Sequence, residues 1–158
     1  MSPSELPETL VSAMITGDHA ILSEYLSANG DPNLLYRDRS LVHWAAQESD
    51  YDAVRLLLAK GASTETADGE GHFPLYQAAA EGSLETVRLL VEAGAEVNRM
   101  CDSGTALSIA CAFEHTDVAH FLMIVGADPD LADGEGTTAR SIAESYESPE
   151  LLRLMKNG

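Results

Sequence analysis

Alanine returns along this chain on a fixed beat: Ala13, Ala45, Ala78, Ala110 and Ala143 lie 32, 33, 32 and 33 positions apart. Positions that suit a helix end, Asn29, Gly61, Gly94 and Gly126, keep the same interval. The pentapeptide Ala67-Asp68-Gly69-Glu70-Gly71 recurs unchanged as Ala132 to Gly136. A period near 33 marks a chain built from stacked copies of one small unit, and it constrains the fold more than any composition does.

The unit is clearest between Gly71 and Asn98. Pro74 fits a first helical turn, where its missing N–H breaks no bond. Leu75, Ala78 and Ala79 then give a narrow apolar face. Gly82 ends that helix, and Ser83 is placed to cap a second. The inner stripe of the second helix is Leu84, Val87, Leu90 and Val91, and Gly94 closes it in a left-handed conformation. Two short helices with one apolar side each cannot bury themselves alone, so they must stack on their neighbours.

The other copies follow in order. Met1 to Glu5 reads as a frayed leader. Pro7 to Gly17 is a first helix with Leu10, Ala13 and Met14 inward. Asp18 caps a second that carries Ile21, Leu22, Tyr25 and Leu26 and has a polar outer side including His19. Tyr51 to Lys60 packs Val54, Leu57 and Leu58; Thr116 to Val125 carries Val118, Phe121, Leu122 and Ile124 as its apolar content. The last copy puts Arg140 where others have leucine or valine, and Glu144 where others are uncharged, as suits an end with no neighbour beyond it. Pro149 opens the final helix.

These residues resemble ankyrin repeats. Phe73-Pro74-Leu75-Tyr76-Gln77-Ala78-Ala79 is similar to the family's T-P-L-H-x-A-A run, and Gly94-Ala95-Glu96-Val97-Asn98 to its G-A-x-V-N ending. Ser40 to Ala46 and Thr105 to Cys111 are weaker copies. The resemblance implies an all-α solenoid of helix-turn-helix units joined by β-turn fingers. It forms a single domain over 1–158, with repeats at 6–33, 34–65, 66–98, 99–130 and 131–158. Ser49-Asp50 and Glu114 depart from the family's inter-helix glycine, and the fingers entering the second and fourth repeats are one residue short.

Few residues fall into a pattern that carries chemistry. No phosphate-binding, nucleophile-elbow or dinucleotide motif is present. His115 and His120 are five apart, whereas a helical metal pair needs four. The Asp-Gly-Glu-Gly turns lack the alternating ligands of a calcium loop. His43, at the family's helix-start histidine place, reads as a hydrogen-bonded packing residue. The expectation is therefore no enzyme, no cofactor, no metal and no catalytic residue. Nine basic against 26 acidic residues give a net charge of −17, which opposes nucleic acid and anionic membranes and favours a cationic partner. Cys101 and Cys111 form no framework, so reduced thiols in a cytoplasm are expected. No apolar leader or long apolar run suggests secretion or insertion.

Family partners usually contact finger tips and the exposed side of the first helices, which line a concave groove. That resemblance implies a partner surface made of Tyr36, Trp44, Glu48, Glu70, His72, Glu81, Asp102, Ile109, Phe113, Glu135 and Tyr146. Phe113 and Tyr146, 33 apart, should sit side by side. Large apolar groups ringed by acids look like an interface anchor with a charged rim. The expected function is a protein–protein interaction module, monomeric when free, that binds a basic protein. The alternative is a dedicated inhibitor, such as an acidic immunity or antitoxin protein neutralising a cationic toxin or nuclease.

Overall fold

The computed structural model describes residues 6–156; the leader expected at 1–5 lies outside them. Five helix pairs follow one another: α1 (Leu6–Thr16) with α2 (His19–Ser27), α3 (Leu41–Gln47) with α4 (Tyr51–Ala59), and α5 (Pro74–Ala80) with α6 (Leu84–Glu92). Then come α7 (Ala106–Ala112) with α8 (Thr116–Ile124), and α9 (Ala139–Ser145) with α10 (Pro149–Lys156). The first helices pack on one another in chain order as an inner layer, and the second helices do the same outside them. The result is the all-α solenoid that the sequence predicts.

One backbone device sets the register. At the end of each first helix a residue in the left-handed region follows: Gly17, Ser49, Gly82, Glu114 and Glu147, with φ of 71, 54, 69, 57 and 51°. The next amide then turns back to the carbonyl of the periodic alanine: Asp18 to Ala13, Asp50 to Ala45, Ser83 to Ala78, His115 to Ala110 and Ser148 to Ala143, all at 2.8–3.1 Å. This six-to-one bond satisfies an otherwise orphaned carbonyl and repeats five times. The alanines themselves are buried where neighbouring first helices meet.

The core is a run of fully buried leucines, Leu10, Leu22, Leu41, Leu57, Leu90, Leu107, Leu122 and Leu151. Polar side chains sew the outer seams. Asn33 Oδ1 accepts the Ser63 amide at 2.7 Å, and Asn98 Oδ1 accepts that of Asp128 at 2.8 Å. Glu65 holds the equivalent place between them, taking the Glu96 amide on Oε1 at 3.1 Å while its Oε2 is buried without a partner. At the far end Arg140 clamps Asp130 through Nε and Nη2 at 2.6 and 2.9 Å and donates to the Met155 carbonyl at 3.3 Å. The polar residue expected there is thus a closing tie as well as a solvated one.

The fingers come in two forms. The short second finger is a hairpin, β1 (Leu35–Tyr36) against β2 (Arg39–Ser40), with Arg37 and Asp38 both left-handed in its two-residue turn. The short fourth finger makes an isolated bridge, Cys101 to Gly104. The longer fingers are held by a buried or half-buried aspartate: Asp68 Oδ1 accepts the amides of Glu70 and His72, and Asp133 Oδ1 those of Glu135 and Thr137.

Three local expectations are corrected. Ser83 makes no backbone cap; its hydroxyl donates to Thr86 Oγ1 at 2.8 Å, and Thr86 joins the core. Ile124 is 70% exposed, because it lies two residues beyond buried Leu122 and so on the far side of α8. His19 is not an outer cap residue, since its Nε2 meets the Asp50 carboxylate at 2.7–2.8 Å across the first seam.

Candidate concave interface

The left-handed turns decide what the inner layer shows to solvent. The residue just before each of the last four turns is the helix C-cap: Glu48, Glu81, Phe113 and Tyr146. Each donates its amide to the carbonyl four residues back at 3.1 Å; Glu81 Oε1 also accepts from Gln77 Nε2 at 2.9 Å, and the Phe113 ring stacks on that of His115 at 6.2 Å. All four side chains are exposed. Phe113 and Tyr146 are 59 and 53% exposed, on neighbouring helices. Each is followed by an exposed glutamate, Glu114 or Glu147, in the left-handed position.

The placement of these acids works against stability. A helix C-terminus carries partial negative charge and favours cations, yet Glu48 and Glu81 sit on C-caps and no basic residue occupies the last turn of α3, α5, α7 or α9. A left-handed glutamate adds roughly 1 kcal/mol of backbone cost that the glycines at 17 and 82 avoid. Residues that break local rules without local compensation concentrate at functional sites.

The remaining interface candidates are less free. Ile109 is half-buried and packed on the core between Thr105 and Phe113. Trp44 is half-buried, donates from Nε1 to the Tyr36 carbonyl at 3.1 Å, and lies 6.0 Å from the Tyr36 ring with the Arg39 guanidinium 5.6 Å away. Tyr36 in turn is covered by Arg37. His72 stacks on Tyr76 at 4.6 Å, and its Nε2 lies 3.3 Å from Ser103 Oγ. Glu70, Asp102 and Glu135 are exposed on their finger tips. The aromatics at the two ends of the inner layer therefore differ: those at 113 and 146 project, those at 36 and 44 form a braced cluster. Sequence reading overlooked Ile15, 56% exposed beside that cluster. Its signal was the same beat, since it falls at the place of Gln47, Ala80, Ala112 and Ser145.

The titratable groups behind the fingers are structural. His43 is 1% exposed; its Nε2 donates to the His72 carbonyl at 2.8 Å while Nδ1 faces Ser40 Oγ at 3.0 Å. Burial holds its pKa below the usual histidine range. Asp68 is pushed up by burial but pulled further down by the His72 and Glu70 amides, so its carboxyl stays below the ordinary value. Burial drives the Cys111 thiol up to about 12 and also raises that of Cys101, so neither offers a thiolate nucleophile near neutral pH. Among the described residues no three His, Cys, Asp or Glu side chains gather as a metal site. Nor is any helix among the described residues long and apolar enough to cross a membrane.

Comparison with known proteins agrees with this architecture. A family model of ankyrin repeats in three copies matches residues 10–101, and a single-repeat ankyrin model matches 104–134. The chain is 32% identical over 112 residues to protein phosphatase 1 regulatory subunit 27 of Mus musculus, covering 70% of this chain and 72% of that one. It is 32% identical over 151 residues to the nuclear factor NF-kappa-B p105 subunit of Gallus gallus, covering 91% of this chain but 15% of the relative. Ankyrin repeat and SOCS box protein 3 of Homo sapiens is 41% identical over 103 residues, 63% of this chain and 20% of that protein.

Proposed function

The chain belongs to the ankyrin-repeat family, whose members are as a rule non-enzymatic modules for protein–protein interaction, and from that premise we propose that its concave face holds a basic protein partner. Phe113 and Tyr146 are the apolar centre of this contact, and Glu48, Glu81, Glu114 and Glu147 are its charged rim. The observation that carries the reading is the placement of those carboxylates at helix ends and left-handed positions, where they cost the free protein stability. A cationic surface laid across them would offset the electrostatic part of that cost. The net charge of −17 adds long-range attraction.

The experiment is a pull-down identified by mass spectrometry, followed by association kinetics of the purified pair across ionic strength. Raising salt should slow association strongly and alter dissociation less. Replacing Glu81, Glu114 and Glu147 together by Gln should remove most of that salt dependence while leaving the melting temperature equal or higher. An on-rate flat with salt would leave the acidity as a solubility feature.

The same acidity favours a second reading, an inhibitor that neutralises a cationic toxin or nuclease. Stoichiometric loss of the partner's activity on binding would select it; undiminished activity would select the adaptor.

A further inference from the structure

At the opposite end of the inner layer from Phe113, the structure has a second apolar opening. Val11 and Ile15 on α1 face Tyr36 and Trp44 across a cleft of about 230 Å³. A void of about 150 Å³ already accommodates a benzene ring, so one large apolar side chain fits. Glu8 and Arg37 at its edge offset each other, which leaves this end close to neutral. Between the two apolar ends the first helices present Gln47, Glu48, Gln77 and Glu81, the third finger adds exposed Glu70, and Arg39, which donates to Gln47, is offset by buried Asp68 at 3.4 Å. The face is thus apolar, acidic, apolar along the stack.

We propose that one extended segment of a basic partner binds along this face at two apolar anchors, with a side chain in the Ile15–Trp44 cleft, another against Phe113 and Tyr146, and lysines or arginines between. The inference rests on the basic-partner reading and adds its spacing. The first anchor lies at the seam of α1 and α3, the second at that of α7 and α9, three helix steps away. Packed helices lie 8–10 Å apart, so the anchors are about 27 Å apart. An extended strand advances about 3.3 Å per residue, so the two apolar side chains should be about eight residues apart. A helical segment, rising about 1.5 Å per residue, would need about eighteen. Charge favours a basic linker: an acidic one would face Glu48, Glu70 and Glu81 without compensation.

The test uses the full chain and fluorescein-labelled, end-blocked peptides of lysine and serine carrying two leucines, their separation varied from about three to about twenty residues. Fluorescence anisotropy should give the tightest binding near a separation of eight. Replacing either leucine by serine should weaken that peptide roughly tenfold. Ile15→Ser and Ile15→Arg, both at an exposed position and each checked by thermal melting, should reduce the two-leucine peptide to the one-leucine affinity; Phe113→Ser should do the same. Affinity independent of spacing, an optimum near eighteen, or an optimum untouched by the Ile15 variants would overturn the two-anchor inference. One-leucine peptides that still bind in a Phe113-dependent way would then leave the basic-partner reading standing. If no leucine peptide bound better than its all-serine control, the apolar centre and the two-anchor inference would fall together.

Discussion

At the scale of single residues, exposure and bonding separate two kinds of aromatic that the sequence presents alike. Phe113 is 59% exposed and its ring lies on that of His115, so Phe113→Ala should change stability by about 0.5 kcal/mol or less. It should weaken partner binding by about 2 kcal/mol or more. Trp44 is half-buried, hydrogen-bonded and packed between the tilted Tyr36 ring and the Arg39 guanidinium, so Trp44→Ala should cost about 2–3 kcal/mol of stability, below the range for a fully buried aromatic. Urea melts and titration with the identified partner check both; equal stability losses in the two variants would refute the distinction. His43 gives a pH dependence with a defined sign. Its folded pKa lies below the ordinary 6.5, so on acidification the unfolded chain takes up a proton before the native one does. Its contribution to stability is complete above about pH 6.5 and is lost as pH falls toward the folded pKa. Asp68 acts in the same direction at lower pH, its contribution lost below the ordinary 3.8 as pH falls through its folded pKa. His43→Gln should cost about 1–2 kcal/mol at pH 7 but flatten the fall in stability between pH 7 and 5, measured by urea unfolding at each pH.

At the scale of the element, the repeating unit is a helix pair whose first helix ends in a left-handed residue. Glu114→Gly should relieve that conformation and raise stability by roughly 0.5–1 kcal/mol, less the added entropy of the unfolded glycine. Affinity for a basic partner should fall in the same variant, and melting with binding measured on one preparation will show whether the two move oppositely. This element was the most legible part of the sequence, because alanine and glycine each have a steric reason to recur: close helix packing and positive φ. What escaped was whatever depended on which atom a side chain reaches. Ser83 sits at a capping position yet bonds Thr86, because a neighbouring hydroxyl competes for it. His19 looks like solvent-facing polarity until Asp50 of the next repeat is placed opposite. Ile124 fits an apolar run, but its angle around α8 turns it outward. The helix ends that carry Phe113 and Tyr146 could be placed by counting; that Trp44 is braced by Tyr36 and Arg39 could not, since it depends on how the two-residue turn folds the finger back.

At the scale of the whole molecule, stability is a sum over neighbours and each end needs a cover. Removing residues from Gly134 onward takes away α9, α10 and the Arg140 clamp, and uncovers Leu107 and Leu122. Stability should fall by several kcal/mol, and the shortened chain should associate; an unchanged melting temperature by calorimetry and a monomer by light scattering would contradict a stacked core. The four C-caps at the ends of α3, α5, α7 and α9 have a different kind of consequence. Because main-chain bonds fasten every C-cap residue there and its side chain lies exposed, that side chain is close to a blank in an otherwise fixed text. Rewriting the letters at 48, 81, 113 and 146 alters what the molecule recognises without disturbing the grammar that folds it. A small alphabet carried on a rigid ruler can be re-addressed from one partner to another by a few substitutions, while the buried leucines never register the change.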